Sequence, residues 1–249
     1  MGSNISLSKP AFPFDIPLML RNCLFLLACL TLVLSACEPL YVAPPSHMPL
    51  MSQAGEVHGN ASLAPTGFNG QLALAPVEHL TLLAGASTYT VEFDSIREPR
   101  FRRNYAELGL GYWTRLNKFT RLEIYGGTGW GSTGDLPRRD RYRVTFLQPN
   151  FGLSARMFDA GFSPRISVVT HTEARKTANL PTYSLPSTAV CLEPTQMGRA
   201  GFNELEFQMM ISRAIPINGS DFDYRRWNVS FGINLNFGKD FERYDLSID

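Results

Sequence analysis

The sequence predicts an all-β fold, a closed antiparallel up-and-down barrel of about ten strands. Three observations carry that expectation. Segments of period-two alternation recur from residue 55 onwards. In Trp227–Phe237, WNVSFGINLNF, every odd position is apolar and every even one small or polar. A period of two means a strand whose two faces meet different surroundings. The alternating segments run for roughly 10 to 14 residues, longer than the 5 to 6 usual in soluble strands and suited to a tilted bilayer crossing. The connections also alternate, short at one end and long at the other, as in outer-membrane barrels.

In chain order, strands are expected at 55–63, 68–76, 79–92, 103–115, 120–132, 140–157, 162–174, 188–199, 203–214 and 224–237. In the first, Val57, Ala61 and Leu63 oppose Glu56, His58, Asn60 and Ser62. In the fourth, Ala106, Leu108, Leu110 and Tyr112 oppose Glu107, Gly109, Gly111 and Trp113. The fifth sets Leu122, Ile124, Thr128 and Trp130 against Arg121, Glu123 and Tyr125, and the ninth sets Leu205, Phe207, Met209 and Ile211 against Glu204, Glu206 and Gln208. In the sixth the apolar phase switches from Tyr142, Val144 and Phe146 to Leu147, Phe151 and Leu153, which predicts a β-bulge near Phe146–Leu147. PVEH, LNKF, DAGF and AGF form the short connections; 94–102, 133–139 and 175–187 form the long ones. The eighth strand alternates least and is kept because an even count brings 239–249, a C-terminal periplasmic tail, back to the starting side.

The N-terminus reads as an export signal. Cys23–Leu34, CLFLLACLTLVL, is an apolar run of 12 residues behind Arg21, too short for a comfortable permanent span and fitting a signal-peptide core. Leu34-Ser35-Ala36-Cys37 resembles the lipobox of bacterial lipoproteins, so residues 1–36 are expected to be removed and Cys37 to carry lipid, palmitate included. Translation is expected to start at Met19, since the segment before it is long and holds Pro10, Pro13 and Pro17. After cleavage and lipidation only Cys191 remains, which excludes an internal disulfide and a cysteine-based metal site. The cleaved chain keeps 21 basic and 21 acidic residues of the original 23 and 22, so no global charge favours nucleic acid. Residues 37–54, Pro-rich and aperiodic, read as a semi-extended lipidated tether. A lipid in the periplasmic leaflet would send the first strand of the 55–238 barrel outward.

Two orientations compete. Apolar faces turned inward would make a soluble periplasmic lipocalin-like barrel that binds a small ligand. Turned outward, they would face outer-membrane lipid, which strand length and the aromatics Trp130, Trp227, Phe237 and Tyr142 near the ends of apolar faces favour. The whole chain then resembles a poorly characterised group of outer-membrane β-barrel lipoproteins of Gram-negative bacteria. The resemblance rests on Cys37, Tyr41…Pro44, Gly55-Glu56, Glu123-Ile124-Tyr125-Gly126-Gly127 and Leu192-Glu193-Pro194. It implies a ten-stranded barrel, and it brings no catalytic residues and no ligand. Gln196 and Gly198 depart from the apolar residues expected on the lipid face.

Function is expected in the interior or at the rim. The predicted interior holds Glu56, Glu107, Glu123, Glu193, Glu204 and Glu206 with Arg121, Arg143, Arg156, Arg165 and Arg199. Opposite charges in so narrow a lumen should pair as a plug, because a lone buried charge is costly; a narrow polar pore or a small-ligand cavity is the alternative. At the outer loops Arg100, Arg102, Arg103, Arg138 and Arg139 stand ready to clamp phosphates of lipopolysaccharide or another polyanion, unless they are ordinary solvated charge. An outer-membrane hydrolase would need a base such as His171, beside Glu173, but no G-x-S-x-G, H-E-x-x-H or Gly-rich phosphate loop appears. No enzyme, cofactor or metal is therefore expected.

Overall fold

The computed structural model describes residues 41–64, 67–91, 101–135, 140–155, 157–171, 188–202, 204–218 and 226–238. The alternating segments form strands, and no helix occurs among these residues. The strands are β1 (Val57–Ala64), β2 (Gly67–Val77), β3 (Leu80–Val91), β4 (Phe101–Arg115), β5 (Thr120–Asp135) and β6 (Asp140–Ser154). They continue with β7 (Phe158–His171), β8 (Thr188–Phe202), β9 (Leu205–Arg213), β10 (Ile215–Pro216) and β11 (Trp227–Phe237). Consecutive strands pair antiparallel from β1 to β9, β9 then pairs with β11, and β11 pairs back with β1, from Val57 opposite Phe237 to Leu63 opposite Phe231. The two-residue β10 extends β9 in unchanged register, with Ser212 opposite Thr195 and Ile215 opposite Leu192. Ten strands therefore close a barrel with no free edge, the arrangement that leaves no ladder hydrogen bond unmade at a seam.

The wall alternates throughout. Leu108, Leu110, Ile124, Trp130, Phe207, Phe231 and Ile233 face outward and are exposed, while Glu107, Glu123, Tyr125, Arg165 and Asn234 face inward and are buried. The eighth strand obeys the same rule despite its faint pattern: Ala189, Cys191, Glu193, Thr195, Met197 and Arg199 point inward, and Gln196 and Gly198 outward. The short connections 78–79, 116–119, 155–157 and 203–204 lie at one rim, where β1 starts and β11 ends. At the other, long-loop rim β1, β3, β5 and β7 end and β2, β4, β6, β8 and β11 begin; β5 runs on to Asp135, which shortens the second expected long connection, 133–139.

Two expectations are corrected here. No bulge interrupts β6 at Phe146–Leu147: Phe146 stays opposite Gly127 and Ser167, and Leu147 opposite Gly126 and Ile166, in one continuous register. The switch in apolar phase marks instead a change in the lumen, which is apolar around Tyr142, Val144 and Phe146 and polar around Gln148 and Asn150. Tyr142 is thus an interior residue, whereas Trp130, Trp227 and Phe237 do lie outside. Gly127, Gly129 and Gly131 on β5 make room for the lumenal rings, since a Cβ at each would be driven into Phe146, Tyr105 and Tyr142 respectively.

The second correction concerns the tether. Residues 41–52 are not an exposed spacer: all except the half-buried Pro44 are buried. The segment starts beside Tyr142 and Asn228, at the long-loop ends of β6 and β11. It runs down the inside of the barrel and emerges beside Glu56 and Gly238 at the short-turn rim. There Gly55, at φ 88°, turns the chain into β1 and donates its N–H to Ala75 O at 2.7 Å.

Candidate functional site

The lumen is where polar chemistry is concentrated, and the barrel's own N-terminal segment fills it. Three layers can be built from the residues upward. Nearest the long loops, Tyr41, Ala43, Tyr105, Tyr142, Val144, Val169, Ala189 and Ala214 form an apolar cluster. Tyr41 and Tyr142 meet edge to face at 5.7 Å. Asn228 donates to Ala43 O at 3.3 Å.

The middle layer is ionic. The fully buried Arg165 guanidinium lies 2.8 Å from Glu107 Oε2 and 3.4 Å from Glu193 Oε2, and it stacks 3.9 Å from the Phe146 ring centroid. Both carboxylates are otherwise satisfied. Tyr105 OH donates to Glu107 at 2.9 Å, while Tyr41 OH and Ser167 Oγ each donate to Glu193 at 2.8 Å. One guanidinium and three hydroxyl donors thus surround the two carboxylates. The lumen segment supplies one of these hydroxyls through Tyr41.

Below this, the lumen binds the segment's main chain. Gln71 donates to Pro45 O at 2.6 Å, and Gln148 and Asn150 donate to His47 O at 2.6 and 3.1 Å. Arg199 donates to Met48 O and, at 3.4 Å, to Pro49 O, while holding Asp159 at 3.7 Å and Gln208 at 2.7 Å. Glu123 accepts the Met51 N–H at 2.7 Å and the Asn150 amide at 3.0 Å. Glu56 accepts the Ser52 N–H at 2.9 Å and the Ser52 hydroxyl, with His58 Nε2 3.4 Å away. An extended peptide brings backbone groups that must be paired once out of water, and the wall meets them with amides, carboxylates and a guanidinium. Steric fit is equally close: Gly152 lies against Leu50, whose backbone turns at φ 59°, and a Cβ on Gly152 would collide with that side chain.

Of the residues expected inside, Glu107, Glu123, Glu206, Arg121 and Arg165 face the lumen, as do Glu56, Glu193 and Arg199. Glu206 accepts from Asn234 at 2.9 Å and Asn236 at 2.7 Å. Arg121 donates to the turn carbonyls of Asn117 and Lys118 at 3.1 and 3.2 Å, which fixes the β4–β5 connection. Two expected interior charges lie elsewhere. Glu204 is exposed in the β8–β9 turn, beyond the wall, and Arg143 points outward because Tyr142, Val144 and Phe146 face inward, opposite to the phase expected for that half of β6. Arg156 lies outside the described residues.

Of the rim arginines, Arg102 is exposed and bonds Asn104 at 3.3 Å. Arg103 instead points inward and is buried, as the strand alternation next to Tyr105 requires, with its guanidinium 5.5 Å from the Tyr89 ring. Arg100, Arg138 and Arg139, and likewise Cys37 and Glu173, lie outside the described residues; His171 closes β7 opposite Tyr142. The functional residues missed from sequence are Gln71, Gln148, Asn150, Asp159 and the segment 41–52; the wall members share the inward phase of their neighbours, which is the signal that would have found them. Among the described residues no three His, Cys, Asp or Glu side chains converge to hold a metal ion.

Fold and site together define a closed barrel with an apolar exterior and an ionic lumen occupied by its own chain. No family model and no curated protein matches the sequence. Among solved structures, LpxR from Salmonella typhimurium is similar over 73% of this chain and 99% of its own, at 8% identity and a TM-score of 0.35. A bacterial polysaccharide outer membrane secretin is similar over 75% of this chain and 99% of its own, at 12% identity and a TM-score of 0.22. Likeness at that level transfers neither activity nor partner to this chain.

Proposed function

We propose that this protein is an outer-membrane β-barrel, anchored by lipid at Cys37, whose lumen is closed by residues 41–53 and whose role is structural or surface-interactive. The observation that carries this reading is the inverted distribution of polarity. Leu108, Phe207 and Phe231 are 57%, 69% and 60% exposed on the outer wall, while Arg165, Arg199 and Glu123 are at 1% or less inside. In water such a molecule would expose an apolar belt all round, far beyond the patches tolerated by soluble monomers; in a bilayer the same belt faces acyl chains. Tyr112, Phe158, Phe202 and Phe237, exposed at the short-turn ends of their strands, supply an aromatic girdle at that interface.

The test is extraction from membranes followed by gel migration before and after boiling, with palmitate labelling of wild-type and Cys37→Ser chains. A detergent-dependent, heat-modifiable band that loses label in Cys37→Ser is expected. A Cys37→Ser chain that is monomeric without detergent would refute the membrane reading. A second reading concerns the rim: Arg102 on β4 and Arg141 and Arg143 on β6 are exposed on the outer wall at the long-loop end, where phosphates of lipopolysaccharide would lie. Binding of purified protein to lipopolysaccharide that weakens with salt and with charge removal at these three positions is the expected result; salt-independent binding would count against it.

A further inference from the structure

We infer that the amino-terminal lipid enters the leaflet at the long-loop rim, opposite the short turns, because the chain reaches β1 by threading its own barrel. This rests on the membrane and lipidation reading above and goes further, by fixing the side on which the anchor sits.

The direction of threading follows from fixed contacts at each level. Tyr41 meets Tyr142, two residues into β6 from the long-loop rim, and Ala43 O is held by Asn228, one residue into β11 from the same rim. Halfway down, Thr195 Oγ1 donates to Ser46 Oγ at 3.1 Å. At the bottom, Ser52 is bonded to Glu56 and Gln53 to Gly238 O, beside the start of β1 and the end of β11. The segment therefore travels antiparallel to β1 inside the cylinder.

Covalent reach decides where the anchor goes. Cys37 is four residues before Tyr41, and four residues span at most about 14 Å fully extended. From Tyr142 to Ser154, the short-turn end of β6, is roughly 30 Å along the barrel axis at the usual rise and tilt. A lipid on Cys37 cannot reach the short-turn leaflet while Tyr41 keeps its place, and the lumen beside Tyr41 is already filled by Tyr105, Tyr142 and Val169. Short turns face the periplasm in barrels of this kind, so the anchor lies in the surface leaflet. This placement differs from the periplasmic leaflet assumed as the starting point of the strand count.

The experiment uses the full chain in intact cells, with one epitope between Pro39 and Leu40 and, in a separate chain, the same epitope after Asp249. A third chain carries Ser46→Cys and Thr195→Cys in a Cys191→Ser background. The first epitope should stain as strongly on intact as on permeabilised cells, the second only after permeabilisation, and the cysteine pair should form a disulfide in vivo. A palmitate-labelled chain whose first epitope stains only after permeabilisation would overturn the proposal. So would a cysteine pair that stays reduced in a correctly inserted barrel. Surface staining and the disulfide without palmitate label would instead remove the lipidation reading, refute the anchor and leave the threading standing. Loss of the chain from membranes would remove the barrel reading and the anchor together.

Discussion

At the residue scale, the ionic middle layer makes the sharpest demand. Arg165 lies within 4 Å of both Glu107 and Glu193, and it is fully buried. Replacing it by methionine keeps volume but takes from the two carboxylates the guanidinium they share. Breaking a buried pair by removing one partner costs roughly 3–5 kcal/mol, so Arg165→Met is expected to lower the unfolding midpoint of the micelle-solubilised barrel markedly. Adding Glu107→Gln should recover part of the loss, a coupling that denaturant titration of the three variants would read; strictly additive effects would dissolve the network. Gly152 makes a second demand. Valine there meets Leu50, so Gly152→Val should displace the segment and let protease cleave near Leu50 in a barrel whose heat-modifiable migration is unchanged. Resistance equal to wild type would show that the segment has room to spare.

At the element scale, the sequence exposes some elements and hides others for definable reasons. The wall strands are legible because each has one apolar outer face and one mostly polar lumenal face, and period two records that contrast. Where the lumen is itself apolar, at Tyr142, Val144 and Phe146, the contrast inverts; equating apolar with lipid-facing then produces a false bulge and turns Arg143 the wrong way. Glu204 fails for another reason: alternation stops at a turn, and Glu204 lies past the end of the wall. The lumen segment is hidden altogether. A peptide surrounded on every side has no second face to alternate against, and the barrel grips it by Ala43 O, Pro45 O, His47 O and Met48 O, which leave no trace in side-chain chemistry. Its removal has a measurable consequence. Deleting residues 41–53 leaves Arg199, Glu123, Gln148 and Asn150 without their main-chain partners, groups that then need water. The deleted barrel should conduct ions in a planar bilayer, while the intact one stays closed; equal conductance of both would mean that the segment does not seal the lumen.

At the scale of the whole molecule, the orientation of the wall decides every other statement, and it is tested by depth. Leu108 is exposed at the middle of β4, opposite Thr128 and Ala84, whereas Trp227 opens β11 at the long-loop rim. In a soluble barrel arginine at either position would meet water and change stability by a few tenths of a kcal/mol, as exposed substitutions do. Against hydrocarbon the cost depends on position, about 2–4 kcal/mol for arginine at the midplane and about 0–1 near an interface. Leu108→Arg is therefore expected to destabilise the barrel in liposomes several times more than Trp227→Arg, read as the shift in reversible urea unfolding. Part of the Trp227 effect is lost stacking on Arg213, 5.2 Å from the ring, which raises that smaller number and makes the comparison conservative. The same pair measured in detergent should converge, since micelles deform around a charge more readily than a bilayer does. Equal shifts for the two arginines in liposomes would mean that no hydrocarbon surrounds Leu108, and the lumen with its threaded segment would then be the core of a water-soluble protein.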